Sequence, residues 1–113
     1  MSAPQELATT LREVTPAEYV RFVADWLTRA DSLDQPPPLT GVRPIDALVA
    51  AAAAHVAFTA GLAVPTWANE AARTCEPLWY PGPRALLPNA LVNSPLSFVV
   101  RGVLVEADSL ASV

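Results

Sequence analysis

The side chains best suited to covalent chemistry are Cys75 and His55, the only cysteine and the only histidine of the chain. Together they would make a thiol nucleophile and its general base, provided the fold brought imidazole and sulfur within hydrogen-bond reach. The neighbours of Cys75 pull in opposite directions, since Glu76 disfavours the thiolate and Arg73 favours it. His55 shares an apolar helical face with Leu48, whereas Asp46 would face elsewhere. One histidine and one cysteine fall short of a zinc ligand set. Glu70, Glu76, Glu106 and Asp108 follow no spacing that pairs carboxylates for acid–base work. The four glycines form no loop that could cradle a phosphate. We therefore expect no catalytic residue, no metal and no cofactor. His55 is expected to pack and hydrogen-bond a loop carbonyl, and Cys75 to fill space as a small apolar group. The alternative, a small-molecule-sensing domain, would need a pocket around His55, Trp67 and Cys75.

A second group carries recognition chemistry. Trp67, Trp79, Tyr80 and Phe98 are interleaved with Arg73, Arg84 and Arg101. Aromatic residues and arginine dominate the energetics of protein interfaces, so these seven are the candidate partner-binding residues. Some of the aromatics must also serve the core of so small a chain. Trp79 and Tyr80, in a loop bounded by Pro77, Pro81, Gly82 and Pro83, are the pair expected outside.

The element that must position these groups is a central alanine-rich helix, expected over residues 44–60. Pro44 suits the first helical position, Asp46 complements the helix dipole, and Ala50 to Ala54 add propensity without side-chain entropy cost. Gly61 and Pro65 end it. Its alanine side is apolar too, so neighbours should cover it on most sides. A membrane span takes about 20 apolar residues. Asp46 and His55 within the run, and the weak hydrophobicity of alanine, argue against one. Upstream, 5–14 reads as a first helix, and Thr15, Pro16 and Glu18 as a capping box opening a second, to about Ala30. Asp34, Gln35 and Pro36 to Pro38 read as an extended strap, with an SH3-type ligand as the sharper reading. Thr66 would cap a short helix over 67–74, residues 85–92 would hold another, and Asn93 or Ser94 would cap 95–99. Val103 to Val105 leaves room for one short strand, and Asp108 would cap a last turn over 109–113.

The organisation expected is a mainly α, single-domain helical bundle around that helix, with a proline-rich irregular C-terminal half. Residues 1–31 are its N-terminal helices, 32–43 the linker and 44–113 the rest. Of 113 residues 52% are hydrophobic and 16% charged, which argues for folding over disorder. The net charge of −4 disfavours binding to phosphate backbones and suits a basic protein partner. A lone cysteine excludes an intramolecular disulfide framework. The opening residues lack a basic-then-apolar design, so a cytoplasmic location is the expectation. Lysine is absent and alanine abundant, a composition that hints at a high-GC genome such as those of actinobacteria.

The stretches PTWANEAAR, EPLWYP and SPLSFVVRGVLVEADSL add a resemblance. Through Pro65, Trp67, Glu70, Arg73, Trp79, Pro81, Pro95, Phe98, Arg101 and Gly102, residues 45–110 resemble the C-terminal region of small actinobacterial helix-turn-helix, antitoxin-like proteins. Those proteins are encoded beside nucleotidyltransferase-like toxins of the abortive-infection type. The resemblance implies an antitoxin or accessory subunit that neutralises its toxin by direct contact, without enzymatic activity. The front of this chain is too short and too acidic for a helix-turn-helix domain, so DNA contact is not carried over. Self-association as a structural or regulatory domain is the competing expectation, with a homo-oligomer as its product.

Overall fold

Pro44, Asp46 and the alanine run do produce a long helix, and the rest of the chain wraps it. The structure, a computed structural model, describes residues 3–110. Its α-helices are α1 (Pro4–Glu13), α2 (Tyr19–Leu27), α3 (Arg43–Thr59), α4 (Leu87–Asn93), α5 (Leu96–Val99) and α6 (Ala107–Leu110). The chain is therefore mainly helical. Sheet-like pairing among the described residues is confined to isolated bridges, among them a parallel one between Trp79 and Val103. Among the described residues no helix is long and apolar enough to cross a membrane.

α3 is buried on almost every side. Ile45, Leu48 and Val49 are covered, and so are Ala47, Ala50 to Ala54 and Ala57. α1, α2 and α5 pack around it, joined by two 3-10 turns, Thr66–Asn69 and Ala71–Arg73. Methyl side chains leave room for these backbones to come close, which is how so short a chain surrounds its longest helix. Gly61 stops α3 with φ +72°. The Leu62 N–H donates to the Ala57 carbonyl at 2.8 Å and the Gly61 N–H to Phe58 at 3.2 Å, the paired bonds of a Schellman end.

Three local expectations fail, each because proline or the backbone takes the bond. Thr15 makes no side-chain cap, and Pro16–Glu18 form a 3-10 turn. The Glu18 N–H there donates to the Thr15 carbonyl instead. The helix expected over 67–74 is two 3-10 turns, because Glu70 is extended at ψ 138° between them. Ser94 does not cap α5. Its hydroxyl donates to the Ala90 carbonyl and accepts the Val105 N–H, tying α4 to the C-terminal segment. Pro88 falls at the start of α4, as its missing N–H allows. The Asp108 side chain and residues 111–113 of the expected last turn lie outside the described residues.

The irregular half is tied by side chains. Proline-rich segments offer few N–H groups, so nearby buried carbonyls must find donors elsewhere. Trp67 Nε1 donates to the Leu33 carbonyl at 2.8 Å. Arg73 Nη2 donates to Pro37 at 2.6 Å, and Pro37 is fully buried. At the strap's far end the Asp46 carboxylate accepts both the N–H and the hydroxyl of Thr40, each at 2.9 Å. The strap over 33–40 is thus fastened at both ends and the middle. Asp46, placed in sequence as a dipole partner, is buried and holds this loop.

Candidate functional site

Of the seven residues expected to meet a partner, four lie inside the chain. Arg73 is 3% exposed, Arg101 7% and Phe98 0%, and Trp67 is buried with them. Arg101 lies across the junction of α5 and the 3-10 turn Thr66–Asn69. It donates to the carbonyls of Ala68 and Ser97 and to the Asn69 side chain, each at 2.9 Å. Burial lowers its pKa from the ordinary arginine value. The Arg73 guanidinium stacks 4.9 Å above the Trp67 ring and pairs through Nε with Glu70 at 2.9 Å. Trp67, Arg73 and Arg101 donate to this chain's own carbonyls. A planar guanidinium with five donors fits that task better than any other side chain. The correction follows from proline content: loops short of N–H groups recruit arginine inward.

His55 and Cys75 form no dyad. His55 is half-buried at the end of α3, with its ring edge-on to Phe98, centroids 5.8 Å apart. Burial lowers its pKa below the ordinary histidine value. The expected loop-carbonyl partner is replaced by this ring contact. The shallow groove beside it is lined by Phe58, Thr59, Pro95, Leu96 and Ser97, without Trp67 or Cys75. Cys75 is buried where its backbone N–H donates to the Arg101 carbonyl at 2.9 Å. Burial raises its thiol pKa, and the charge of Arg43 opposes that rise. A protonated, covered thiol is a packing group. Among the described residues no three histidine, cysteine, aspartate or glutamate side chains gather as a metal cluster.

Trp79, Tyr80 and Arg84 are placed differently. Trp79 is half-buried and tilts against Tyr19, ring centroids 5.9 Å apart. Its backbone N–H donates to Gly102 and its carbonyl accepts from Leu104, both at 2.8 Å. Those bonds anchor the loop, and the next residue leaves the core. Tyr80 lies so close over Gly82 that a Cβ there would meet its hydroxyl and ring. Together Tyr80, Pro81, Gly82 and Pro83 wall a groove of about 260 Å³. Val20, Leu104 and Val105 add apolar lining, and Glu106 and Ser109 add polar groups. Arg84 is exposed in the 3-10 turn Arg84–Leu86 that follows. An apolar trough with rigid walls, one aromatic face and one carboxylate can receive a side chain with an apolar stem and a positive end.

A second surface escaped the sequence reading. Phe58, Leu62, Val92, Leu96 and Val100 are large apolar side chains exposed around the ends of α3, α4 and α5. Their signal was present as Val92, Leu96 and Val100 at intervals of four, next to a Pro95 that obscured the period. No protein-family model, no curated protein and no solved structure matches this chain.

Proposed function

We propose that this chain is a non-enzymatic protein-binding subunit that seats a basic partner protein in the groove beside Tyr80. The observation that carries the reading is the groove itself, lined by Tyr80, Pro81 and Pro83 together with the carboxylate of Glu106. Tyrosine and proline lose little conformational entropy on binding, and so make efficient anchors. A cation in the groove would meet both the Tyr80 ring and the Glu106 carboxylate. The net charge of −4 would speed encounter with a basic surface. The resemblance of residues 45–110 to antitoxin-like proteins supports a specific form of this function. In it the chain is the antitoxin or accessory subunit of a two-gene module and covers a nucleotidyltransferase-like toxin.

Co-expression with the product of the adjacent gene tests it. The expected result is co-purification of the two proteins and relief of growth inhibition. Tyr80→Ala should weaken the complex by about 2 kcal/mol, roughly thirty-fold in Kd, as for an interface hot spot. No complex and no relief would remove the antitoxin reading. A complex indifferent to Tyr80→Ala would remove the groove.

A further inference from the structure

The exposed apolar surface at the end of α3 lies outside the Tyr80 groove and shares none of its lining. Phe58 and Leu96 are each 73% exposed there. Both border one shallow cavity of about 220 Å³, with His55 and Pro95 between them. Val100 lies one turn beyond Leu96, its N–H bonded to the Leu96 carbonyl at 3.0 Å, so it extends the same face. Leu62, just beyond α3, and Val92, in the last turn of α4, are exposed as well. A monomer seldom leaves so many large apolar side chains uncovered together.

Charge is what identifies the occupant. Residues 47–69 and 85–100, which build this face, contain no aspartate, glutamate, lysine or arginine. The charged side chain bonded to this face is Arg101, buried beneath it with Nη1 on the Ser97 carbonyl at 2.9 Å. A basic partner would find nothing to pair with here. Two copies of a chain with net charge −4 repel wherever their acidic surfaces meet, and this face is where they can approach without that cost. Phe58 is exposed and lines this cavity with Leu96, so in a two-fold pairing the ring of each copy can lie against the cavity of the other. Phe58, Leu96 and Val100 are 73%, 73% and 58% exposed, so pairing two copies here would take three large apolar side chains of each out of water. We propose that this chain forms a two-fold symmetric homodimer through Phe58, Leu96 and Val100, leaving the Tyr80 groove of each copy open.

Sedimentation velocity on the full chain over a hundred-fold concentration range tests this. The expected wild-type species is a dimer at micromolar concentration. Phe58→Arg places two like charges across the axis and should weaken dimerisation by at least about 100-fold. The side chain is mostly in solvent, so the far-UV spectrum should not change. Leu96→Glu, equally exposed, gives the same readout should Phe58→Arg fold poorly. Tyr80→Ala should leave the dimer intact, which separates this interface from the groove. A wild-type chain that stays monomeric into the millimolar range overturns the proposal, as does a dimer that survives both Phe58→Arg and Leu96→Glu.

Discussion

Arg73→Ala should be among the most damaging single substitutions in this chain, although Arg73 lies in no long helix and in no predicted core. Its Nη2 bond to Pro37 joins a charged donor to a buried carbonyl, worth about 1.5–3 kcal/mol. Stacking on Trp67 with water excluded adds about 1–2 kcal/mol. The Glu70 pair adds at most about 1 kcal/mol, because the Glu70 side chain is 55% exposed. Against these stands Nη1, buried without a partner, whose desolvation cost of about 1–3 kcal/mol vanishes with the side chain. All of these belong to one side chain and overlap, so the net loss is about 3 kcal/mol. For a chain of this length that lowers Tm by about 10–15 °C. Thermal and urea unfolding followed by circular dichroism measure it. Chymotryptic cleavage after Leu33 and Leu39 reports whether the strap is what loosens. Arg73→Lys should recover less than half of the loss, since an ammonium can neither stack nor fork. A cost below about 1 kcal/mol, with the strap still protected, would refute the idea that arginine closes this half of the fold.

Two further perturbations separate other causes. Gly61 and Gly102 both hold positive φ, +72° and +77°, but only at 102 would a Cβ collide, with the Cys75 carbonyl. Gly61→Ala should therefore cost about 1 kcal/mol and Gly102→Ala about 3 kcal/mol or more, read as urea midpoints; equal costs would contradict the packing at 102. His55 has a folded-state pKa below the ordinary value, so the unfolded chain binds its proton first as pH falls. Stability should decline below pH about 6.5 by more in wild type than in His55→Gln. The groove residues facing His55, namely Phe58, Thr59, Pro95, Leu96 and Ser97, carry no charge that would mask the difference, and Phe98 is the ring it touches. A parallel pH profile for the two proteins in differential scanning fluorimetry would overturn that assignment.

The long helix was legible because its signals are local. Pro44 sits second in it, after Arg43, alanine sustains it and Gly61 ends it, all within one run of chain. The inward turn of Arg73 and Arg101 was not legible, because it depends on contacts made far along the chain. The partner carbonyl of Arg73 lies 36 residues upstream, and that of Arg101 at Ala68 lies 33 upstream. Residue type alone marks an arginine beside aromatics as a binding group and does not say whether it binds another molecule or its own backbone. Trp79 and Tyr80, an exposed pair by sequence, are both half-buried: backbone pairing with Gly102 and Leu104 holds Trp79 against the core, and Tyr80 lies over Gly82.

The alanine sheath of α3 makes mutational tolerance lopsided. A leucine core has volume to lose, and its members can often exchange with one another. Here Ala47, Ala50 to Ala54 and Ala57 have almost no volume to give up and no space to grow into. Glycine at such a position costs about 1 kcal/mol in helix propensity, whereas each larger residue must push a neighbouring backbone away, at about 1–3 kcal/mol. The centre of this chain should therefore drift very little in composition over time. Change will accumulate instead in the exposed loops, where side chains reach solvent and no neighbour limits their size.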